Sequence, residues 1–142
     1  MQITFENILW IIGVLAVAGL VVYTVYSYAP RLIMNKDYTV TDMNVYIESN
    51  LRWARFFFTI KNTGNVPITE VKVELYEGGT KRIYGWNNIP DINGGESRSV
   101  NDWRLQSSGN LYAGKVYTVR VIVRFIDGDW KSKVMQVVLQ PY

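Results

Sequence analysis

The sequence predicts an α+β chain, with a long hydrophobic N-terminal α-helix over residues 1–30 followed by an all-β sandwich of about seven strands over residues 31–142. Three observations carry this expectation. No charged side chain lies between Glu6 and Arg31, whereas all 15 Lys and Arg residues stand at Arg31 or later. Beyond Arg31 apolar and polar residues alternate in short runs, the period of half-buried strands. Turn-forming residues separate those runs about every dozen positions, as in antiparallel sandwiches.

The front segment comes first. Asn7 to Ala29 is uncharged for 23 residues. At about 1.5 Å per residue a helix of that length spans roughly 35 Å, the length needed to cross a bilayer. Trp10 near one end, and Tyr23, Tyr26 and Tyr28 at the other, fall where aromatic side chains meet membrane interfaces. Pro30 then ends or kinks the helix, since it has no N–H to give. A secretory signal would carry Lys or Arg ahead of the apolar run and a small-residue exit, and the exit here is YTVYSYAP. Two readings are left. In one, the segment is an anchor whose flanking Arg31 and Lys36 keep the β half in the cytoplasm. In the other, the chain is a mature form whose short basic leader has been removed, and the abrupt apolar start favours this one.

Gly13, Ala16 and Gly19 fall at three-residue steps and define a slowly rotating stripe. Such small residues let neighbouring helix backbones approach closely. Glu6 is costly in lipid or a dry interface unless a cation meets it. A free α-amino group on a neighbouring copy would serve. With Trp10, Ile11, Ile12, Leu20 and Tyr23, these residues make up the expected assembly surface of the helix.

The strands follow in order: 38–49, 52–62, 68–78, 81–86, 96–105, 115–127 and 131–140. In the third, Val71, Val73 and Leu75 point one way and Glu70, Lys72 and Glu74 the other. In the sixth, Tyr117, Val119, Val121, Val123 and Phe125 form a buried face, with Arg120 and Arg124 outward. KNTGNVP supplies Gly64 and Pro67 to a turn, INGGES supplies Gly94 and Gly95, and Asp127-Gly128 marks a hairpin. Phe57 and Ile122 face away from these core sets. They are the expected subunit contacts of the β domain.

Composition excludes much chemistry. With no Cys and no His, the chain lacks the commonest metal ligand, the commonest general base and any thiolate nucleophile. Asp127 and Asp129 fit a turn better than a calcium loop, whose further oxygen ligands are missing. Lys115 and the serines of LQSSGN have nothing in the sequence to orient them as a catalytic pair. Trp53, Trp86, Trp103 and Trp130 suit a core or interface before a ligand platform. A formal net charge of +3, spread along the strands, is too mild for nucleic acid as the main partner. No catalytic residue, metal or cofactor is expected.

The stretch KNTGNVPIT, followed by EVKVELY, is similar to runs in immunoglobulin-like surface modules. Taken with the early Glu6, the IIG stretch at Ile11–Gly13 and the Cys-free β half, the chain resembles an archaeal type IV pilin. That resemblance implies an immunoglobulin-like head and a leader removed by a prepilin peptidase. It implies residence in the cytoplasmic membrane before assembly, then extraction by an assembly ATPase and platform protein. The product would be a homopolymer, an extracellular cell-surface filament for adhesion and surface contact. The alternatives are an archaellin, the subunit of a motility filament, and a membrane-anchored β-sandwich binding module.

Overall fold

A computed structural model describes residues 4–142 other than residue 33, with the side chains of residues 22–32 outside the described set. The chain divides into two compact units, Met1–Met34 and Asn35–Tyr142.

The first unit holds helix α1, Phe5–Leu32. Thr4 caps it: the Asn7 N–H donates to Thr4 Oγ1 at 3.4 Å, and the Ile8 N–H donates to the Thr4 carbonyl oxygen at 3.1 Å. Glu6 lies in the first turn, where the helix dipole favours an acid. Among the described residues no helix is long and apolar enough to cross a membrane. The expected α+β chain built on a long membrane-crossing helix is therefore corrected to a mainly β chain with an N-terminal helix. The physical reason is the weight of strands: eight of them, arranged in two sheets, build the second unit, against a single helix in the first.

The second unit is a β-sandwich of eight strands: β1 Tyr38–Ile47, β2 Trp53–Asn62, β3 Ile68–Glu77, β4 Thr80–Ile92, β5 Ser97–Gln106, β6 Val116–Phe125, β7 Trp130–Val138 and β8 Gln140–Pro141. One sheet has the order β5-β2-β1-β8 and the other β4-β3-β6-β7. All pairings are antiparallel except β1 with β8. Consecutive strands β2 and β3, β4 and β5, β5 and β6, and β7 and β8 switch sheets, the crossed connectivity of immunoglobulin-like sandwiches.

Alternation builds the core. Ala54, Phe56, Phe58 and Ile60 of β2 meet Val71, Val73 and Leu75 of β3 and Tyr117 to Phe125 of β6 in one apolar cluster. Burying each such side chain is worth about 1.5–3 kcal/mol, enough to fix which face of every strand points inward. The turn between β2 and β3 is tied by Asn62, fully buried, whose Nδ2 donates to the carbonyl oxygens of Val66 at 2.7 Å and Ile92 at 2.9 Å. Gly64 is required there, because a Cβ would stand 2.0 Å from the Asn35 carbonyl oxygen.

Candidate functional site

Three surfaces have chemistry to offer: the helix, the outer faces of the two sheets, and a cleft at one end of the sandwich.

On α1 the expected assembly residues that are described, Glu6, Trp10, Ile11, Ile12, Gly13, Ala16, Gly19 and Leu20, are all exposed within their own unit. Trp10 is the most open of the apolar set at 75%. The side chain of Tyr23 lies outside the described residues. Eleven large apolar side chains between Phe5 and Val21 are exposed, and they occupy every side of the helix. A helix that is apolar all round is one that other apolar groups cover. At Gly13 and Gly19 an added Cβ would meet nothing within 4 Å, so both leave room for a close backbone approach.

The outer face of the β5-β2-β1-β8 sheet carries an aromatic and charged network. Phe57 is half-buried and packs edge-on against Tyr46, ring centroids 5.5 Å apart. Arg55 lies 4.1 Å over the Tyr142 ring and donates through Nη1 to both Asp102 oxygens at 2.9 and 2.8 Å. Glu48 accepts from Arg104 Nε at 2.5 Å and from Arg55 Nε at 3.3 Å. These guanidinium groups, Arg104 first, hold the Glu48 carboxyl below its ordinary range despite partial desolvation.

The outer face of the other sheet is a charge ladder. Glu70 accepts from Arg124 at 3.1 Å and from Trp86 Nε1 at 3.1 Å, and the Lys72 ammonium stands 4.3 Å over Trp130. Ile122 shares this face with cross-strand neighbours Lys72 and Ser132 and is only 9% exposed, so most of its surface is already covered within the domain. The structure thus places Phe57 and Ile122 on opposite sheets and does not bring them together.

The cleft lies where the adjacent edges β4 and β5 meet the β1–β2 loop. Its lining is Arg52, Lys81, Arg82, Ile83, Tyr84, Gln106, Ser107 and Ser108, around about 550 Å³. Main-chain bonds assemble it: the Ser107 N–H donates to the Arg52 carbonyl at 2.7 Å, and the Ser108 N–H to that of Arg82 at 2.8 Å. Asn50 shapes the loop by accepting from the N–H groups of Arg52 and Trp53 at 3.1 and 3.2 Å. The sequence marks none of these residues as a site except the Ser107-Ser108 pair, which it offers only alongside Lys115. The structure sends Lys115 to Glu77 and sets the serines beside Arg52 and Arg82. Asp127 and Asp129 both bind Lys36, as a salt-bridged turn. Among the described residues there is no cluster of three potential metal ligands.

No protein-family model matches the chain, and no curated protein matches it. Two solved structures are similar to the sandwich. One is the ligand-binding region of serine-glutamate repeat protein A from Enterococcus faecium, 12% identical over 70% of this chain and 89% of that one, with a TM-score of 0.40. The other is β-glucosidase 3B from Thermotoga neapolitana, 16% identical over 72% of this chain and 17% of that one, with a TM-score of 0.37. Likenesses at this level have no bearing on activity.

Proposed function

We propose that the chain is a non-catalytic β-sandwich module for binding and adhesion, held in its assembly by the apolar helix α1. The observation that supports this most is the helix surface: eleven exposed large apolar side chains from Phe5 to Val21. Covering each is worth about 1.5–3 kcal/mol, so together they represent well over ~10 kcal/mol of attraction toward any apolar partner. The sandwich, closed around its own core, is left to present its outer faces and end cleft to other molecules.

The finer reading makes the chain a subunit of a type IV pilus-like filament at the cell surface, with copies of α1 bundled at the centre. The step at Gly13, Ala16 and Gly19 favours it, because open space over both glycines lets identical helices approach backbone to backbone. The peptidase, ATPase and platform protein named above would then be its assembly partners.

The test is the state of the full chain after detergent is removed. Light scattering and electron microscopy are expected to show large ordered assemblies. Ala16→Arg, which sets a charge in the stripe, is expected to lower the assembled fraction at least about tenfold. A full chain that stays monomeric in aqueous buffer, or an Ala16→Arg variant that assembles unchanged, would sink the proposal.

A further inference from the structure

The end cleft gathers cations without a carboxylate among them. At several other places on the sandwich a cation stands beside a carboxylate: Arg55 with Glu48 and Asp102, Arg124 with Glu70, Lys36 with Asp127 and Asp129. The cleft lining holds Arg52, Lys81 and Arg82 and no carboxylate. Behind it, Glu74 accepts from Lys81 at 2.8 Å, and Glu77 is shared between Arg82, at 3.2 Å, and Lys115. Four cations therefore face two carboxylates, and the cleft stays positive. Arg52 is exposed and makes no ion pair among the described residues. Only the Nε of Arg82 is engaged by Glu77, which leaves its Nη groups to donate. The guanidinium lies against the β5 exit loop, where a Cβ built on Gly109 would stand 2.9 Å from Arg82 Nη1.

The remaining lining is neutral and rich in hydrogen-bonding groups. Gln106 offers a carboxamide and Ser108 a hydroxyl, while Tyr84 stands half open at the rim with Lys81 beside its ring. Two forked guanidinium groups suit a planar or tetrahedral anion. Amide and hydroxyl groups suit alcohols, and an exposed tyrosine ring suits the apolar face of a pyranose. The volume falls within the roughly 300–1,000 Å³ typical of small-ligand clefts.

We infer that this cleft binds an acidic saccharide, with Arg52 and Arg82 holding its sulfate or carboxylate and Gln106, Ser108 and Tyr84 receiving the sugar ring. The inference rests on the reading of the sandwich as a binding module and is independent of how α1 assembles.

The experiment titrates the full chain, in mild detergent, with a sulfated heparin tetrasaccharide, a galacturonate tetramer, maltotetraose and tetraglutamate, followed by calorimetry. At least one acidic sugar is expected to bind about tenfold or more tightly than maltotetraose and tetraglutamate, the preferred one showing whether sulfate or carboxylate is recognised. Arg52→Glu is expected to weaken that binding at least about tenfold with an unchanged melting temperature. Lys61→Glu, at the opposite end of β2, is expected to leave it within about twofold. Failure of both acidic sugars to bind overturns the inference. So does equal binding of tetraglutamate, which would assign the cleft to acidic peptides, or an equal loss in Lys61→Glu, which would reduce the effect to diffuse charge. Assembly after detergent removal reads α1 alone, so either result leaves the helix proposal to its own test.

Discussion

The Tyr38 hydroxyl donates to the main-chain oxygen of Val121 at 2.7 Å, which ties β1 of one sheet to β6 of the other. Tyr38 is fully buried, and its oxygen also reaches the Lys131 carbonyl at 3.3 Å. Burial drives its phenol pKa upward, with the nearby Asp37 carboxylate adding to it, so this group remains a donor at all physiological pH values. Tyr38→Phe keeps the ring and removes only the donor. It is expected to lower stability by about 1–2 kcal/mol in urea denaturation with the slope unchanged. A loss under a few tenths of that would show that the ring alone closes the sandwich here.

The turn Asn62-Thr63-Gly64-Asn65-Val66-Pro67 does structural work that its composition announces. Asn62 gives both amide hydrogens to carbonyl oxygens of Val66 and Ile92, and its Oδ1 accepts from the Gly64 N–H at 3.0 Å. Asn62→Ala takes the amide donor from the Val66 and Ile92 carbonyl oxygens, while the Gly64 N–H keeps the Asp37 carbonyl at 3.3 Å, and is expected to cost about 2–3 kcal/mol by thermal or urea denaturation. The partners lie on the turn and on β4, so the loss falls on the link between segments distant in sequence.

The strand pattern was legible because the core residues of β3 and β6 recur at every second position, and a one-residue slip would turn Val71, Val73 and Leu75 outward; that Glu74 and Ile122 between them are also covered was not. Other features were settled by tertiary contacts that periodicity does not encode. Strand β4 was expected to stop at Trp86 but continues to Ile92, past Asn87, Asn88 and Pro90. It lies at a sheet edge, where a proline and irregular register are tolerated. Gly85 of β4 makes room for Leu105 and Trp103 of β5, whose side chains would stand 2.4 and 3.0 Å from its Cβ, so the glycine marks a close approach of two sheets. Strand β8 exists only because Gln140 and Pro141 meet Tyr46 and Ile47. Net hydrophobicity at the front of the chain was plain, but among the described residues no helix has the length and apolarity that charge spacing suggested. The cleft was illegible for a simpler reason. Arg52, Arg82 and Ser108 come from three segments, each unremarkable in sequence, and only the bonds from Ser107 and Ser108 bring them to one rim.

Acid sensitivity follows from the carboxylates that bind cations. Arg104 and then Arg55 hold Glu48 below its ordinary range, Lys115 does the same for Glu77, and Lys36 for Asp127. At Glu74 burial pushes upward, yet the bonds from Lys81 and Tyr76 outweigh it and the net shift is downward. A group whose folded pKa is depressed binds fewer protons when folded than when unfolded. Its contribution is thus fully present above the unfolded value of about 4.3 for Glu and is lost as pH falls through the folded value. The melting temperature is expected to be flat from pH 8 down to roughly pH 5 and to fall progressively below that. With no histidine in the chain, no inflection is expected near pH 6.5, the ordinary histidine value. Glu48→Gln is expected to lower the melting temperature at pH 7 and to make the decline below pH 5 shallower, because one of the groups responsible no longer titrates. A melting temperature that instead rises on acidification, or a Glu48→Gln variant with an unaltered acid limb, would show that these ion pairs contribute nothing net to the folded state.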